Sequence, residues 1–135
     1  MPVTWKILPE KRLMVVRAEG EVVLRDIEDC LDAIVVGDAF AYAKLFDARG
    51  VAFTEFEGDV MQIGARLQAY ARADFKGGPV AFVTDGGEAT DYIRRYLNLA
   101  GGERPAQLFT AVTPARAWLD KQRGQPVAQD ATRTR

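Results

Sequence analysis

Histidine is absent from the 135 residues, and cysteine occurs once, at Cys30. Without histidine the commonest general base near neutral pH is missing, and so are Ser-His and Cys-His nucleophile pairs and most zinc sites. One cysteine excludes a disulfide framework and a thiolate metal cluster, and it is compatible with a reducing compartment. Charge of one sign is lacking too, because 18 Lys and Arg stand against 19 Asp and Glu, a formal net charge of −1. No strong field therefore draws the chain to nucleic acid or to an acidic membrane. No apolar run approaches the roughly 18 residues of a membrane span. The start of the chain, MPVTWKILPEK, has neither a long apolar core nor a cleavage signal. No GxGxxG follows a strand and no P-loop pattern occurs, so the two common phosphate cradles are excluded. These absences favour a cytoplasmic, bacterial-type, non-enzymatic protein with no cofactor and no metal.

What is present reads as one domain, residues 1–121, followed by a tail, 122–135. The tail is rich in Gln, Thr, Ala and Arg, lacks apolar periodicity and is expected to be disordered. Thr4 to Leu8 and Leu13 to Glu19 are strand patterns joined by Pro9-Glu10-Lys11-Arg12, which predicts an antiparallel hairpin that Gly20 ends. Leu24, Ile27, Leu31, Ile34 and Val35 follow helical spacing, with Arg25, Asp26, Glu28, Asp29 and Asp32 on the other side, and Gly37 stops the run. Ala43 to Asp47 is a third strand. A helix from about Gly58 to Phe75 follows, with Val60, Ile63, Leu67, Tyr70 and Ala71 as its apolar stripe. Gly77-Gly78-Pro79 leads into a strand over Val80 to Thr84, and Asp85-Gly86-Gly87 turns into a helix over Glu88 to Ala100. Gln107 to Thr110 is a last short strand, and Thr113-Pro114 caps and starts a final helix anchored by Trp118 and Leu119. Strands separated by helices imply parallel pairing through right-handed crossovers.

The stretch Ala43 to Gly58, AKLFDARGVAFTEFEG, carries the most specific pattern: a strand ending in Asp47, then Gly50, Val51 and Phe53, then a turn with Glu55 and Gly58. It resembles the anti-sigma-factor-antagonist (SpoIIAA-like, STAS) family, in which a strand ending in Asp is followed by Gly-Val-x-Phe and a switch turn Asp-Ser-x-Gly. The resemblance runs over roughly residues 5 to 120 and includes a terminal strand followed by a helix with Ala-Trp-Leu. It implies an α/β fold in the order β-β-α-β-α-β-α-β-α, with a mixed, mostly parallel five-stranded sheet and four helices. It also implies a phospho-switch, but the serine position falls on Phe56, which leaves that switch lost or moved to Thr54.

Several side chains could carry a site. In parallel α/β sheets ligands usually bind beyond the carboxyl ends of the strands, and those ends supply Asp47, Arg49, Thr54, Glu55, Thr84, Asp85 and Thr110. Asp47, Glu55 and Asp85 could share a proton or hold a hard cation; the plainer role of each is to cap a turn. Asp85-Gly86-Gly87-Glu88 has the outline of an anion nest, which its two acids oppose. Cys30 reads as a small buried thiol with no group to activate it, and Arg94, Arg95 and Arg104 as a solvated basic face. Phe53, Phe56, Tyr70, Phe75, Tyr92 and Tyr96 are core residues or, where exposed, an apolar contact surface. The resulting expectation is a regulatory or binding domain. Its contact candidates are Asp47, Arg49, Thr54, Glu55, Phe56, Asp85, Tyr92 and Tyr96, and its partner is a protein, an apolar small molecule or a second copy of the chain. The alternative is a small-molecule or lipid binder whose pocket, lined by Phe53, Phe56, Tyr92 and Tyr96, lies under the 58–75 and 88–100 helices, a use suggested by a resemblance to Sec14-type lipid-transfer domains.

Overall fold

The computed structural model describes residues 2–53, 77–100 and 105–123. Strands β1 (Val3–Leu8) and β2 (Leu13–Ala18) form the expected hairpin, in register from Val3↔Ala18 to Leu8↔Leu13. Pro9–Lys11 makes a single 3-10 turn, and Arg12 closes it at φ 49 with its N–H donating to the Pro9 carbonyl at 3.0 Å. Helix α1 (Leu24–Val36) starts where the Asp26 carboxylate accepts the Val23 amide at 3.0 Å. That contact satisfies a donor the helix cannot, and it places a negative charge at the positive end of the dipole. Ile27, Cys30 and Ile34 form its buried stripe, and Gly37 ends it as the spacing predicts.

Strand β4 (Ala43–Asp47) is central, β6 (Val80–Val83) follows the Pro79 start, helix α2 covers Glu88–Ala100, strand β7 covers Ala106–Phe109 and helix α3 covers Val112–Arg123. The sheet has five strands in the order β1-β2-β4-β6-β7, antiparallel at β1/β2 and parallel elsewhere. The mixed, mostly parallel architecture therefore holds. Among the described residues there are three helices rather than four; the helix expected over Gly58 to Phe75 lies outside them, as do residues 124–135 of the expected tail, whereas Gln122 and Arg123, expected in that tail, are the last residues of α3.

Two local readings need correction. Gly20 does not simply end the hairpin, and Val51 to Phe53, for which the sequence pattern predicts no strand, forms one. Gly20–Val22 (β3) and Val51–Phe53 (β5) pair in parallel as a separate two-stranded ribbon. The final helix begins at Val112, so Pro114 falls in its first turn as expected, but Thr113 lies inside that turn rather than capping it.

Strand alternation divides the core by face. Met14, Val16, Ala18, Val80 and Phe82 pack with Ile27, Cys30 and Ile34 of α1 and Ala89 and Ile93 of α2. Leu13, Leu45, Ala81 and Val83 pack with Ala115 and Leu119 of α3 on the opposite face. The strand order runs in one direction from β2 to β7 without reversing. The crevice that α/β sheets open at a reversal of strand order has no counterpart among the described strands.

Candidate functional site at the carboxyl edge

The carboxyl ends of β2, β4 and β6 meet in one polar cluster. Arg17 on β2 is the register partner of Asp47 on β4, which in turn pairs with Val83 on β6. Both charged side chains lie on the α3 face of the sheet by alternation. Beyond this point the chain bends away. The β2/β4 pairing runs Arg17↔Asp47, whereas the ribbon runs Gly20↔Val51, so one extra residue enters on the β4–β5 side. That is the signature of a β-bulge. Gly20 and Gly50 absorb the bend at φ +74 and +78, and the Gly20 N–H donates to the Gly50 carbonyl at 3.1 Å. L residues with a side chain adopt such angles only at a cost.

Asp47 is nearly buried, and its charge is fully engaged. Arg49 grips it with two guanidinium bonds, Nε to Oδ1 at 2.9 Å and Nη2 to Oδ2 at 2.9 Å, and the Arg49 amide adds a third to Oδ1 at 3.2 Å. Arg17 Nη1 stands 3.7 Å from Oδ1 and donates to the carbonyls of Ala18 and Arg49, each at 2.8 Å. The Arg49 hydrogen bonds hold the Asp47 carboxyl below the usual carboxylate range, with Arg17 assisting, although burial works against them. The same pair raises the Arg49 guanidinium above its ordinary value. A bidentate pair of this kind is rigid as well as strong.

Asp85 points across the edge, where its Oδ2 accepts the Gly50 amide at 3.1 Å. Asp47 and Asp85 therefore build the turn around Arg49 and Gly50. They do not converge as a proton-sharing pair, and no cluster of metal-ligating side chains occurs among the described residues. Thr84 is buried, and its hydroxyl shares a 2.8 Å hydrogen bond with that of Thr90, which ties the end of β6 to the first turn of α2.

The remaining expectations are met unevenly. Tyr92 is half-buried and packs against the α1/α2 core, with the Arg95 guanidinium 5.6 Å from its ring centre. Thr54, Glu55 and Phe56 lie outside the described residues, and so do the side chains of Phe53 and Tyr96. Cys30 is buried and its thiol is pushed up to about 12, chiefly by desolvation, which Lys44 only partly opposes. This thiol is inert. Two residues that the sequence reading passed over prove central, Arg17 and Lys44. Arg17 is the single charge in the apolar strand LMVVRA, and Lys44 interrupts the apolar start of AKLFD; those interruptions were the available signal.

No family model matches the chain, and no curated protein does. Solved structures do match. An uncharacterised protein of the DUF3478 family with a SpoIIAA-like fold, from Shewanella loihica PV-4, aligns over 87% of this chain and 93% of its own, with a TM-score of 0.59 and 17% identity. The chain has the SpoIIAA-like fold. The anti-sigma factor antagonist SpoIIAA, in its unphosphorylated form, aligns over 90% of this chain and 98% of its own, with a TM-score of 0.53 and 15% identity. At these identities the likeness is one of fold. No described helix is long and apolar enough to cross a membrane.

Proposed function

We propose that this protein is a non-enzymatic regulatory domain that binds a protein partner at its carboxyl edge, through the β4–β5 turn and the segment that follows. The observation that supports it best is near end-to-end similarity of fold to an anti-sigma factor antagonist, combined with a carboxyl edge whose acids are committed to turn construction. Asp47 and Asp85 hold Arg49 and Gly50 in place, and the ribbon presents Ala52 and Glu21 to solvent immediately before Thr54 to Phe56. An exposed edge whose Asp47 and Asp85 are already hydrogen-bonded suits docking better than proton transfer, which needs an acid or base free to exchange with substrate. With Phe56 where the resembled family has its serine, docking at this edge is constitutive or is controlled through Thr54. A dianionic phosphate at that point would add to the charge of Glu55 and repel a partner that binds the unphosphorylated turn.

Two measurements test the reading. Serine-kinase anti-sigma factors from the same genome should bind the protein in calorimetric titration. Ala52→Arg, a change at an exposed ribbon position, should weaken that binding by about tenfold or more while leaving the fold intact. Intact-mass analysis after incubation with those kinases and ATP distinguishes a phosphorylated Thr54 from a constitutive binder. Absence of binding across all such candidates, with the protein folded, would remove the anti-sigma setting. The cytoplasm is the compartment that this reading requires.

A further inference from the structure

Strand β1 is an edge of the main sheet, and no described strand pairs with its outer side. Its backbone phase follows from two hydrogen bonds. The Glu19 amide donates to the Pro2 carbonyl at 2.9 Å, which makes Pro2↔Glu19 a hydrogen-bonded position of the hairpin. In an antiparallel pair such positions alternate, so Thr4, Lys6 and Leu8 bond inward to β2. The Ala43 amide, bonded to the Arg12 carbonyl, sets the same phase from the other side of β2. The outward N–H and C=O groups therefore belong to Val3, Trp5 and Ile7.

We propose that β1 pairs antiparallel with β1 of a second copy about a two-fold axis through Trp5, joining two sheets edge to edge. In that register Trp5 faces Trp5 of the second copy, and Val3 and Ile7 face one another in both directions. Every outward backbone group of the strand then gains a partner. On the opposite face Thr4 meets Lys6 of the second copy, and both residues are exposed here. Moving the axis to Lys6 would oppose two lysines and set Val3 against Pro9, which has no N–H; like charges directly opposite are destabilising. Moving it to Thr4 would carry Ile7 past Pro2 and out of the strand. Only the Trp5 axis satisfies all three outward residues. Pro2 and Pro9 bound the strand at each end and stop further pairing, so the contact closes on itself as a dimer rather than propagating.

This inference does not depend on the carboxyl-edge reading, because the pairing occupies the side of the sheet at β1. Sedimentation equilibrium of the full chain from ~10 μM to about 1 mM should show a reversible monomer–dimer equilibrium. Thr4→Lys sets lysines opposite one another at two symmetric positions and should raise the dissociation constant about tenfold, whereas Thr4→Glu should lower it by about threefold or more. Far-ultraviolet circular dichroism should stay unchanged in both, since Thr4 is exposed. The double variant Thr4→Cys/Lys6→Cys should form a covalent dimer on mild oxidation, with buried Cys30 taking no part. A chain that stays monomeric throughout this range overturns the proposal. So does a dimer whose dissociation constant is the same in all the Thr4 variants, because that dimer uses another surface.

Discussion

Strand β4 carries a nearly buried charge at each end, Lys44 at its start and Asp47 at its finish, and the two are stabilised differently. Lys44 lies on the α1/α2 face, where its ammonium donates to the main-chain carbonyls of Phe40 at 2.6 Å and Tyr42 at 2.8 Å, with the Phe40 ring centre 5.5 Å away. Asp47 lies on the α3 face and is held by guanidinium groups, Arg49 with 45% of its side chain exposed and Arg17 with 38%. The carbonyls around Lys44 are fixed by the chain path through residues 39–42. The guanidinium groups around Asp47 already reach solvent and can be rehydrated where they stand. The amino end of the strand is thus a structural clamp, and the carboxyl end is a pairing that can be loosened without unfolding.

The comparison is broken most severely at Gly78. Its N–H donates to the Phe40 carbonyl at 2.9 Å, and a Cβ placed there would run into the carbonyls of Ala41 and Tyr42, backbone atoms that cannot swing aside. Gly78→Ala should therefore displace the loop that clamps Lys44 and cost about 4 kcal/mol, at the severe end for a single substitution. Thermal unfolding followed by circular dichroism should show a large fall in Tm. A fall of only a degree or two would mean that the loop moves easily, and the clamp description would fail.

Lys44→Met is the next test. Methionine fills most of the volume but takes the ammonium from the Tyr42 carbonyl and leaves the Phe40 carbonyl with the Gly78 amide alone, and an unsatisfied buried acceptor typically costs about 1–3 kcal/mol. The expected loss is about 3 kcal/mol, read as a shift in urea midpoint at unchanged slope. A neutral or stabilising result would show that the buried ammonium's own desolvation cancels its hydrogen bonds, as happens for some buried charges.

Asp47→Asn should cost less, about 2 kcal/mol at neutral pH, because Arg17 and Arg49 can turn to water. This end also carries a pH signature. The folded protein holds the Asp47 carboxyl below the value of the unfolded chain, so its contribution is present above about pH 4 and is lost as pH falls through the depressed folded value. The stability gap between the native protein and Asp47→Asn should therefore narrow on acidification from pH 7 to about pH 2.5. A gap that is constant with pH would assign the loss to packing rather than to the ion pair.

These two ends were not equally legible in the sequence. Periodicity and turn residues gave α1, α2 and the main strands to within a residue or two, since apolar spacing reports directly which face is buried. Asp47 and Arg49 were recognisable as edge residues, and Asp85 as a turn acid, because strand ends and Asp-Gly-Gly are local signals. Their mutual geometry was not. That Asp47 faces Arg17 depends on β2/β4 register, and that Asp85 caps Gly50 depends on two loops meeting across 35 positions of chain. The β3/β5 ribbon was hidden for the same reason. Strands of three residues carry too little pattern, and here a long-range parallel pairing and a bulge create them. Lys44 was misleading in another way: lysine usually marks a solvated face, whereas here its ammonium is buried against main-chain carbonyls that lie nearby only in the fold.

The smallest expected effect sharpens the carboxyl end alone. Gly50 sits at φ +78, yet nothing lies within 4 Å of where a Cβ would stand. Gly50→Ala therefore meets no clash, and its cost is the left-handed backbone itself, about 1 kcal/mol. Gly50→Asn should cost about half as much, because asparagine tolerates that region better than alanine. Both variants keep the amide that Asp85 accepts and the carbonyl that Gly20 bonds, so the bulge and the Asp47–Arg49 pair should survive. The check is the acid limb of the stability profile: in Gly50→Ala the loss below about pH 4 should match that of the native protein, merely offset. If the limb disappears instead, the glycine is setting the ion-pair geometry, and the carboxyl end is as tightly coupled to its backbone as Lys44 is to the 39–42 loop.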